Sequence, residues 1–232
     1  METIIISLGG SLIVPDEIDF IFLKKFRNLI LKYLKKEKRF FIISGGGKIA
    51  RNYQKSARKI TKIAKEDIDW IGIHGTRINA HLLRTIFRNY AYPKIITNPQ
   101  KIKKEIKEKI IIAGGWKPGW STDFVATKLA QAYKAKIVIN LSNISFVFNK
   151  DPKKYKDAKP LEKINWRDFR KIVGNKWNPG ANLPFDPIAS KLAEKLKLKV
   201  IVLKGNDLKN VDNFLSNKIF KGTTIEENKQ KF

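Results

Sequence analysis

Three short glycine-bearing stretches each follow an apolar run: Ile6-Ser7-Leu8-Gly9-Gly10-Ser11, Ile43-Ser44-Gly45-Gly46-Gly47-Lys48, and Ile112-Ala113-Gly114-Gly115-Trp116-Lys117-Pro118-Gly119-Trp120-Ser121-Thr122-Asp123. The chemistry that suits this pattern is the handling of phosphate. Glycine lets the backbone turn through positive φ and bring its N–H groups close to an oxyanion, and a helix starting just beyond the turn adds the positive end of its dipole. Three such turns would hold several phosphates at once. None of them matches Gly-x-x-x-x-Gly-Lys-Ser/Thr, and no Gly-x-Gly-x-x-Gly occurs, so the common nucleotide folds are disfavoured.

The elements that must position these turns read as alternating strands and helices. Residues 3–8 are a continuous apolar run ending in glycine, the pattern of a central strand buried on both faces. Phe22, Phe26, Leu29, Ile30, Tyr33 and Leu34 keep helical spacing within 19–36, and 39–44 forms a second strand. Helices follow over about 48–64 and 66–89, the latter with an irregularity near Gly75; strands at 94–97 and 109–113 come next. A helix over 122–133, N-capped by Ser121 or Thr122, leads into a strand over 136–141. The segment 149–160 reads as a mobile loop and 174–187 as a lid, before helix 186–196, strand 199–203, helix 208–216 and a terminal Gly222-Thr223-Thr224-Ile225. Only the last few residues read as disordered. Such alternation predicts one α/β domain with a mainly parallel sheet covered on both faces, whose ligands bind at the carboxyl ends of the strands. All three glycine turns fall at that edge.

Composition narrows the chemistry. The 232 residues suffice for one large domain with a real core; cysteine is absent and only His74 and His81 are present, which removes thiolate and histidine-rich metal sites. Any metal is expected to arrive with substrate. No leader-like segment precedes the first strand and no apolar run reaches the ~18 to 20 residues of a membrane span, so a cytoplasmic protein is expected. The formal charge of +27 invites a nucleic-acid reading. Its lysines, however, are spread along helix faces such as 32–36 and 101–105, which reads as a lysine-biased surface without a specific nucleic-acid partner.

In the order and spacing of its anchors the chain resembles the amino-acid kinase superfamily, and most closely the archaeal-type uridylate (UMP) kinases. Those anchors are Gly9-Gly10-Ser11, Gly45-Gly46-Gly47-Lys48-Ile49-Ala50-Arg51, Asp69-Trp70-Ile71-Gly72-Ile73 leading to Thr76-Arg77-Ile78-Asn79-Ala80, Gly114-Gly115 with Pro118-Gly119-Trp120-Ser121-Thr122-Asp123, Asp151-Pro152-Lys153-Lys154, Asp186-Pro187-Ile188-Ala189, and Gly222-Thr223-Thr224-Ile225. They span nearly the full length. The resemblance implies a three-layer α/β/α sandwich that binds ATP, with Mg²⁺ carried by the nucleotide, and UMP end to end. It also implies a single domain over 1–232, with an acceptor part to about 135 and an ATP part over about 136–226, assembled as a homohexamer. Phosphoryl transfer of this kind is mostly positioning and charge stabilisation, and needs no covalent nucleophile.

Carried over residue by residue, the resemblance puts Gly9, Gly10 and Ser11 under the transferring phosphate. It puts Gly45, Gly46, Gly47 and Arg51 around the acceptor phosphate and ribose, Asp69 on a ribose hydroxyl, and Arg77 and Asn79 in a stretch shared by site and subunit contact. Gly114, Gly115, Ser121 and Thr122 would cup the acceptor phosphate and uracil. Asp186 would orient cationic groups or Mg²⁺, a role compatible with an ordinary N-cap. Arg51 and Asp69 have plain structural alternatives, Trp116 and Trp120 read as packing, and Lys117 is either a phosphate ligand or an exposed loop lysine.

For ATP the resemblance points to Gly10, Ser142, Asn143, Phe148, Asp151 and Lys154. Here the chain departs from its relatives: the usual Thr-Asn-Val-Asp-Gly-Val-Tyr becomes Ser142-Asn143-Ile144-Ser145-Phe146-Val147-Phe148. An acid, a glycine and a tyrosine hydroxyl are lost, and Phe146 does not adopt positive φ cheaply, so a different loop path is expected. Ser7 stands where many members of the superfamily carry lysine. The alternatives are another small-phosphate kinase of the same fold, such as an isopentenyl phosphate kinase lacking a catalytic histidine, a nucleotide-binding relic without turnover, and a basic nucleic-acid-binding protein.

Overall fold

The computed structural model describes residues 1–101, 106–176 and 183–227. Strand β1 (Glu2–Leu8) runs into a one-turn helix α1 (Gly10–Ile13), crosses over through α2 (Phe20–Leu34) and returns as β2 (Lys38–Ser44). Helices α3 (Gly47–Ile60) and α4 (Lys65–Ile86) precede β3 (Ile110–Ala113), α5 (Thr122–Ala132) and β4 (Ile137–Ser142). A two-stranded hairpin, β5 (Val147–Phe148) with β6 (Pro160–Leu161), is followed by β7 (Lys163–Asn165), α6 (Trp166–Val173) and α7 (Pro187–Lys195). The chain closes with β8 (Lys199–Lys204), α8 (Leu208–Leu215) and β9 (Thr223–Glu226).

The main sheet has the order β3-β2-β1-β4-β8-β9-β7, parallel throughout except where β9 runs against β8. Because strand side chains alternate between faces, each central strand feeds two cores. Ile4, Ile6 and Leu8 of β1, with Phe40 and Ile42 of β2, pack under α2, α4 and α8; Ile5, Phe41, Ile43 and Val138 pack under α5, α6 and α7. Each fully buried side chain of this kind contributes about 1.5–3 kcal/mol of transfer free energy. From β1 the chain builds outward through β2 and β3, then returns to lay β4 on the other side of β1. That reversal opens a crevice at the carboxyl ends of the central strands, where an α/β sheet takes its ligands.

Several expectations change in detail. Residues 94–97 form no strand; Ile96 makes only an isolated bridge to Ala113. Helix α3 stops at Ile60, because Thr61 and Ala64 are extended, so the helix expected to 64 is a turn shorter. Helix α4 is continuous through Gly75, with no irregularity there: its small neighbour Ala50 on α3 sits where a side chain at Gly75 would stand. The loop over 149–160 is closed at its base by β5 and β6, and Asn149 N–H donates to Lys159 O at 3.1 Å. The short β7 and α6 were not expected, although Trp166, Phe169 and Val173 recur at helical spacing and form the buried face of α6. Part of the expected lid and the expected disordered tail lie outside the described residues.

What brings the first two glycine turns together is direct contact of backbone with backbone. A Cβ on Gly10 would stand 2.0 Å from Gly47 N and 2.6 Å from Gly45 C, and a Cβ on Gly47, whose φ is +64°, would stand 2.4 Å from Gly10 O. The neighbours are main chain and have no rotamer into which to retreat. We therefore expect Gly10→Ala to cost about 3 kcal/mol or more, at the upper end of overpacking. Gly119→Ala, at φ +83° with nothing within 4 Å, costs only the left-handed backbone penalty of about 1 kcal/mol. Urea unfolding of both variants checks this, and equal midpoints would contradict it.

Candidate active site

A cavity of about 380 Å³ lies over the carboxyl ends of β1, β2 and β3. Gly10 and Ser11 of α1 form one wall, and Gly46, Gly47, Ala50, Arg51 and Gln54 at the start of α3 form another. Asp69, Gly72, Ile73 and Thr76 line it from α4, Gly115, Lys117 and Trp120 from the loop after β3, and Ser121, Thr122 and Asp123 from the start of α5. Leu183 and Asp186, just before α7, complete it. The amino ends of α3, α5 and α7 thus converge on one space. The first N–H groups of a helix have no acceptor within it and carry partial positive charge, so this convergence favours an anion.

Helix α4 fixes the second and third turns relative to each other. Asn79 Nδ2 donates to Gly45 O at 2.8 Å and Gly46 O at 3.2 Å, and Ser44 Oγ donates to Thr76 O at 2.8 Å. Thr76 Oγ1 accepts from Gly115 N at 2.6 Å while donating to Ile73 O at 2.7 Å. Arg77 Nη2 and Nε donate to Trp116 O at 2.8 Å and Gly115 O at 3.2 Å. Burial holds the Arg77 guanidinium below its usual range.

Two cations and three acids line the cavity. Arg51 and Lys117 are the cations, and the Lys117 ammonium lies 4.7 Å from the centre of the Trp116 ring. Asp69 accepts from Gly119 N at 2.9 Å and so pins the loop, leaving its second oxygen for a ligand. Asp123 accepts from Ser7 Oγ at 2.8 Å and from Asp186 N at 3.2 Å. Burial pushes its carboxyl up to about 6; the Ser7 hydroxyl opposes that shift and the Asp186 charge adds to it. Asp186 caps α7, its Oδ1 accepting from Ala189 N at 2.6 Å. Burial raises the Asp186 carboxyl too, against the Ala189 N–H, the Ser121 hydroxyl and the Ile188 N–H.

The expected phosphate and acceptor residues fall into two groups. Gly10, Ser11, Gly46, Gly47, Arg51, Asp69, Gly115, Ser121, Thr122 and Asp186 line the cavity together. Gly9, Gly45 and Gly114 stand behind it, their N–H groups donating to Leu141 O, Leu8 O and Ile96 O. Arg77 stands outside the lining, with its guanidinium engaged by the loop carbonyls. Ser121 is the cap of α5, accepting from Phe124 N at 3.1 Å. Trp120 both lines the cavity and packs on Phe124, ring centres 4.0 Å apart.

The residues expected around ATP form a separate group. Ser142 ends β4, Asn143 follows it, Phe148 is in β5, and Asp151 and Lys154 are exposed in the turn beyond. None of the five lines the cavity. Asp151 Oδ1 accepts from Lys153 N at 2.9 Å. Thr223 Oγ1 accepts from Val147 N at 2.8 Å and donates to Leu161 O, which binds the hairpin to β9. Phe146 is not among the residues with positive φ.

Thr76, Gln54 and Asp123 line the cavity without having been given roles from the sequence. The signal was there: Asp69, Ile73 and Thr76 share one face of α4 at helical spacing, and Gln54 follows Arg51 by one turn. Removing the Thr76 hydroxyl leaves the buried Gly115 N–H unpaired. Thr76→Val should therefore cost about 1–3 kcal/mol, read by urea unfolding; an unchanged midpoint would show that the hydroxyl does not hold the third turn.

Residues 2–204 match the amino acid kinase family. The chain is 35% identical over 229 residues to the uridylate kinase of Thermoplasma volcanium, covering 97% of this chain and 98% of that one. It is 34% identical over 226 residues to the uridylate kinase of Pyrococcus abyssi, covering 96% and 99%. The crystal structure of the uridylate kinase from Archaeoglobus fulgidus superposes with a TM-score of 0.81 at 30% identity, over 97% of this chain and 100% of that one. The UMP kinase from Bacillus anthracis, at a TM-score of 0.78 and 22% identity over 98% and 97% of the two chains, shares the fold. With glycine turns, sheet order and full-length similarity in agreement, the chain belongs to the amino acid kinase family and stands among its uridylate kinases.

Proposed function

We infer that the protein transfers the γ-phosphoryl group of ATP to UMP. An oxygen of the UMP phosphate forms the new bond to the γ-phosphorus as the bond to the β–γ bridging oxygen breaks, giving UDP and ADP. One observation carries this reading: two glycine turns in backbone contact, with a third tied to them through α4, share one cavity of about 380 Å³ with the amino ends of three helices. A UMP phosphate is already ionised near neutral pH, so positioning and charge stabilisation suffice without a general base.

In this reading the acceptor part of the domain runs to about residue 135 and the donor part over about 136–226. Arg51 and the Gly46–Gly47 amides hold the UMP phosphate, Asp69 takes a ribose hydroxyl, and Gly115, Ser121 and Thr122 face phosphate and base. Gly10 and Ser11 lie under the transferring group, and ATP extends from there toward Ser142, Asn143, Phe148, Asp151 and Lys154. Arg77 serves by holding the loop carbonyls. Mg²⁺, when bound, neutralises charge on the phosphates during transfer. The two carboxylates beside the cavity, Asp123 and Asp186, suit a hard divalent ion, although among the described residues no group of three or more His, Cys, Asp or Glu stands together.

Self-association belongs to the same reading, toward a homohexamer in the cytosol. Among the described residues no helix is long and apolar enough to cross a membrane. A groove of about 430 Å³ between α3 and α4 is lined by Ile49, Tyr53, Trp70, Ile71 and Ile78, with Tyr53 69% and Ile78 58% exposed. A second copy would cover this apolar face.

Purified protein with Mg·ATP and, in parallel, UMP, CMP or isopentenyl phosphate tests the function through ADP release. UMP should give the highest kcat/KM, and UMP binding without ADP release would overturn the kinase reading. Arg51→Ala should raise the KM for UMP roughly 10- to 100-fold, the loss of a charge-assisted hydrogen bond, with a smaller change for ATP. Equal effects on both substrates would remove Arg51 from the acceptor site. Ile78→Glu should lower the mass in sedimentation, and an unchanged assembly would place the subunit contact elsewhere.

A further inference from the structure

Lys117 is the second cation of the cavity, and its charge is unmatched. It lines the space with Arg51, against Asp69, Asp123 and Asp186, yet takes part in no ion pair among the described residues. Its ammonium rests 4.7 Å from the centre of the Trp116 ring, a contact that holds an exposed cation only weakly. The backbone on either side of it is fixed. Gly115 N donates to Thr76 Oγ1 at 2.6 Å, Arg77 holds the Gly115 and Trp116 carbonyls, and Gly119 N donates to Asp69 at 2.9 Å. Pro118 restricts the backbone of Lys117 itself toward the extended region. An anchored loop thus carries a cation whose side chain has no fixed partner.

We propose that Lys117 is a ligand of the acceptor phosphate, leaving the Trp116 ring to meet it from a different wall than Arg51. The neighbouring walls supply amides and hydroxyls but no further cation: α1 offers Gly10 and Ser11, α5 offers Ser121 and Thr122, and Ser7 of β1 gives its hydroxyl to Asp123. A phosphate monoester therefore enters a space that already holds three carboxylates, and Arg51 with the helix ends is opposed by all of them. The lysine redresses that balance. A charge-assisted hydrogen bond to a phosphate oxygen is stronger than the contact with an indole face, so an anion in the cavity draws the ammonium off the ring. Its three donors turn freely about a flexible stem, and it needs no planar match to its ligand. Because it meets the phosphate, it serves nucleoside monophosphates alike and does not read the base.

This inference rests on the reading of the cavity as an acceptor-phosphate site, and its test separates the two. Binding of UMP, CMP and uridine to the full-length protein without ATP is measured by titration calorimetry, beside ADP release with Mg·ATP and UMP. Lys117→Met should weaken UMP and CMP by the same factor, roughly 10- to 100-fold for one charge-assisted hydrogen bond, while uridine, which has no phosphate, stays within about two-fold. Lys117→Arg keeps the charge and should hold UMP within about three-fold of wild type. The melting temperature of the ligand-free protein should not fall in either variant. UMP bound as tightly by Lys117→Met as by wild type overturns the proposal. So does a loss shared by uridine, or a changed ratio of UMP to CMP affinity, since either puts the lysine on the nucleoside. If Lys117→Met releases ADP with an unchanged KM for UMP, the role of the lysine falls and the kinase reading stands; UMP binding that depends on Lys117 in a wild-type protein that releases no ADP does the reverse.

Discussion

The close approach of the Gly9–Gly10 turn to the Gly45–Gly47 turn is the constraint on which the rest of the structure depends. Two main chains meet there at distances that leave no room for a Cβ on either side. That contact sets the spacing of the ends of β1 and β2, and with it the place where α1 and α3 begin. The third turn is tied in through α4, by Asn79 to the second turn and by Thr76 and Arg77 to the loop after β3. A cavity with backbone amides in its walls follows from these contacts.

Electrostatics in the cavity differ from those of the whole chain. The formal charge of +27 is spread over the surface, whereas the cavity has Arg51 and Lys117 against Asp69, Asp123 and Asp186. Phosphate attraction at short range therefore comes from helix ends and oriented amides, while the surface lysines contribute a long-range field that draws anions in. Asp69 accepts a bond from the Gly119 N–H. Asp123 and Asp186 likewise accept backbone N–H bonds, from Asp186 and Ala189, but burial outweighs these and raises both of their carboxyls.

The fold was legible because its signals are local. Buried parallel strands read as unbroken apolar runs, crossover helices as apolar stripes between lysines, and caps such as Ser121 and Asp186 as single residues at helix starts. Strand pairing is less local: residues 94–97 look like a strand, yet only Ile96 finds a bridge. Within the site, the glycine turns were legible because phosphate binding favours closely approaching backbone amides, whereas Asp69 and Asp186 were named as site residues by the family resemblance alone. Thr76 and Arg77 were harder to read, because their work is holding other segments of backbone. A motif names Arg77, but only the fold shows that its guanidinium turns to the Gly115 and Trp116 carbonyls.

A crystal structure of the protein with UMP, Mg²⁺ and a non-transferable ATP analogue addresses the arrangement as a whole. The UMP phosphate should lie between the Gly46–Gly47 amides and Arg51, with one oxygen about 3–3.5 Å from the γ-phosphorus over Gly10 and Ser11. The attacking oxygen, the phosphorus and the leaving oxygen should fall on one line. UMP bound outside the cavity, or two phosphates separated by the glycine turns, would contradict it.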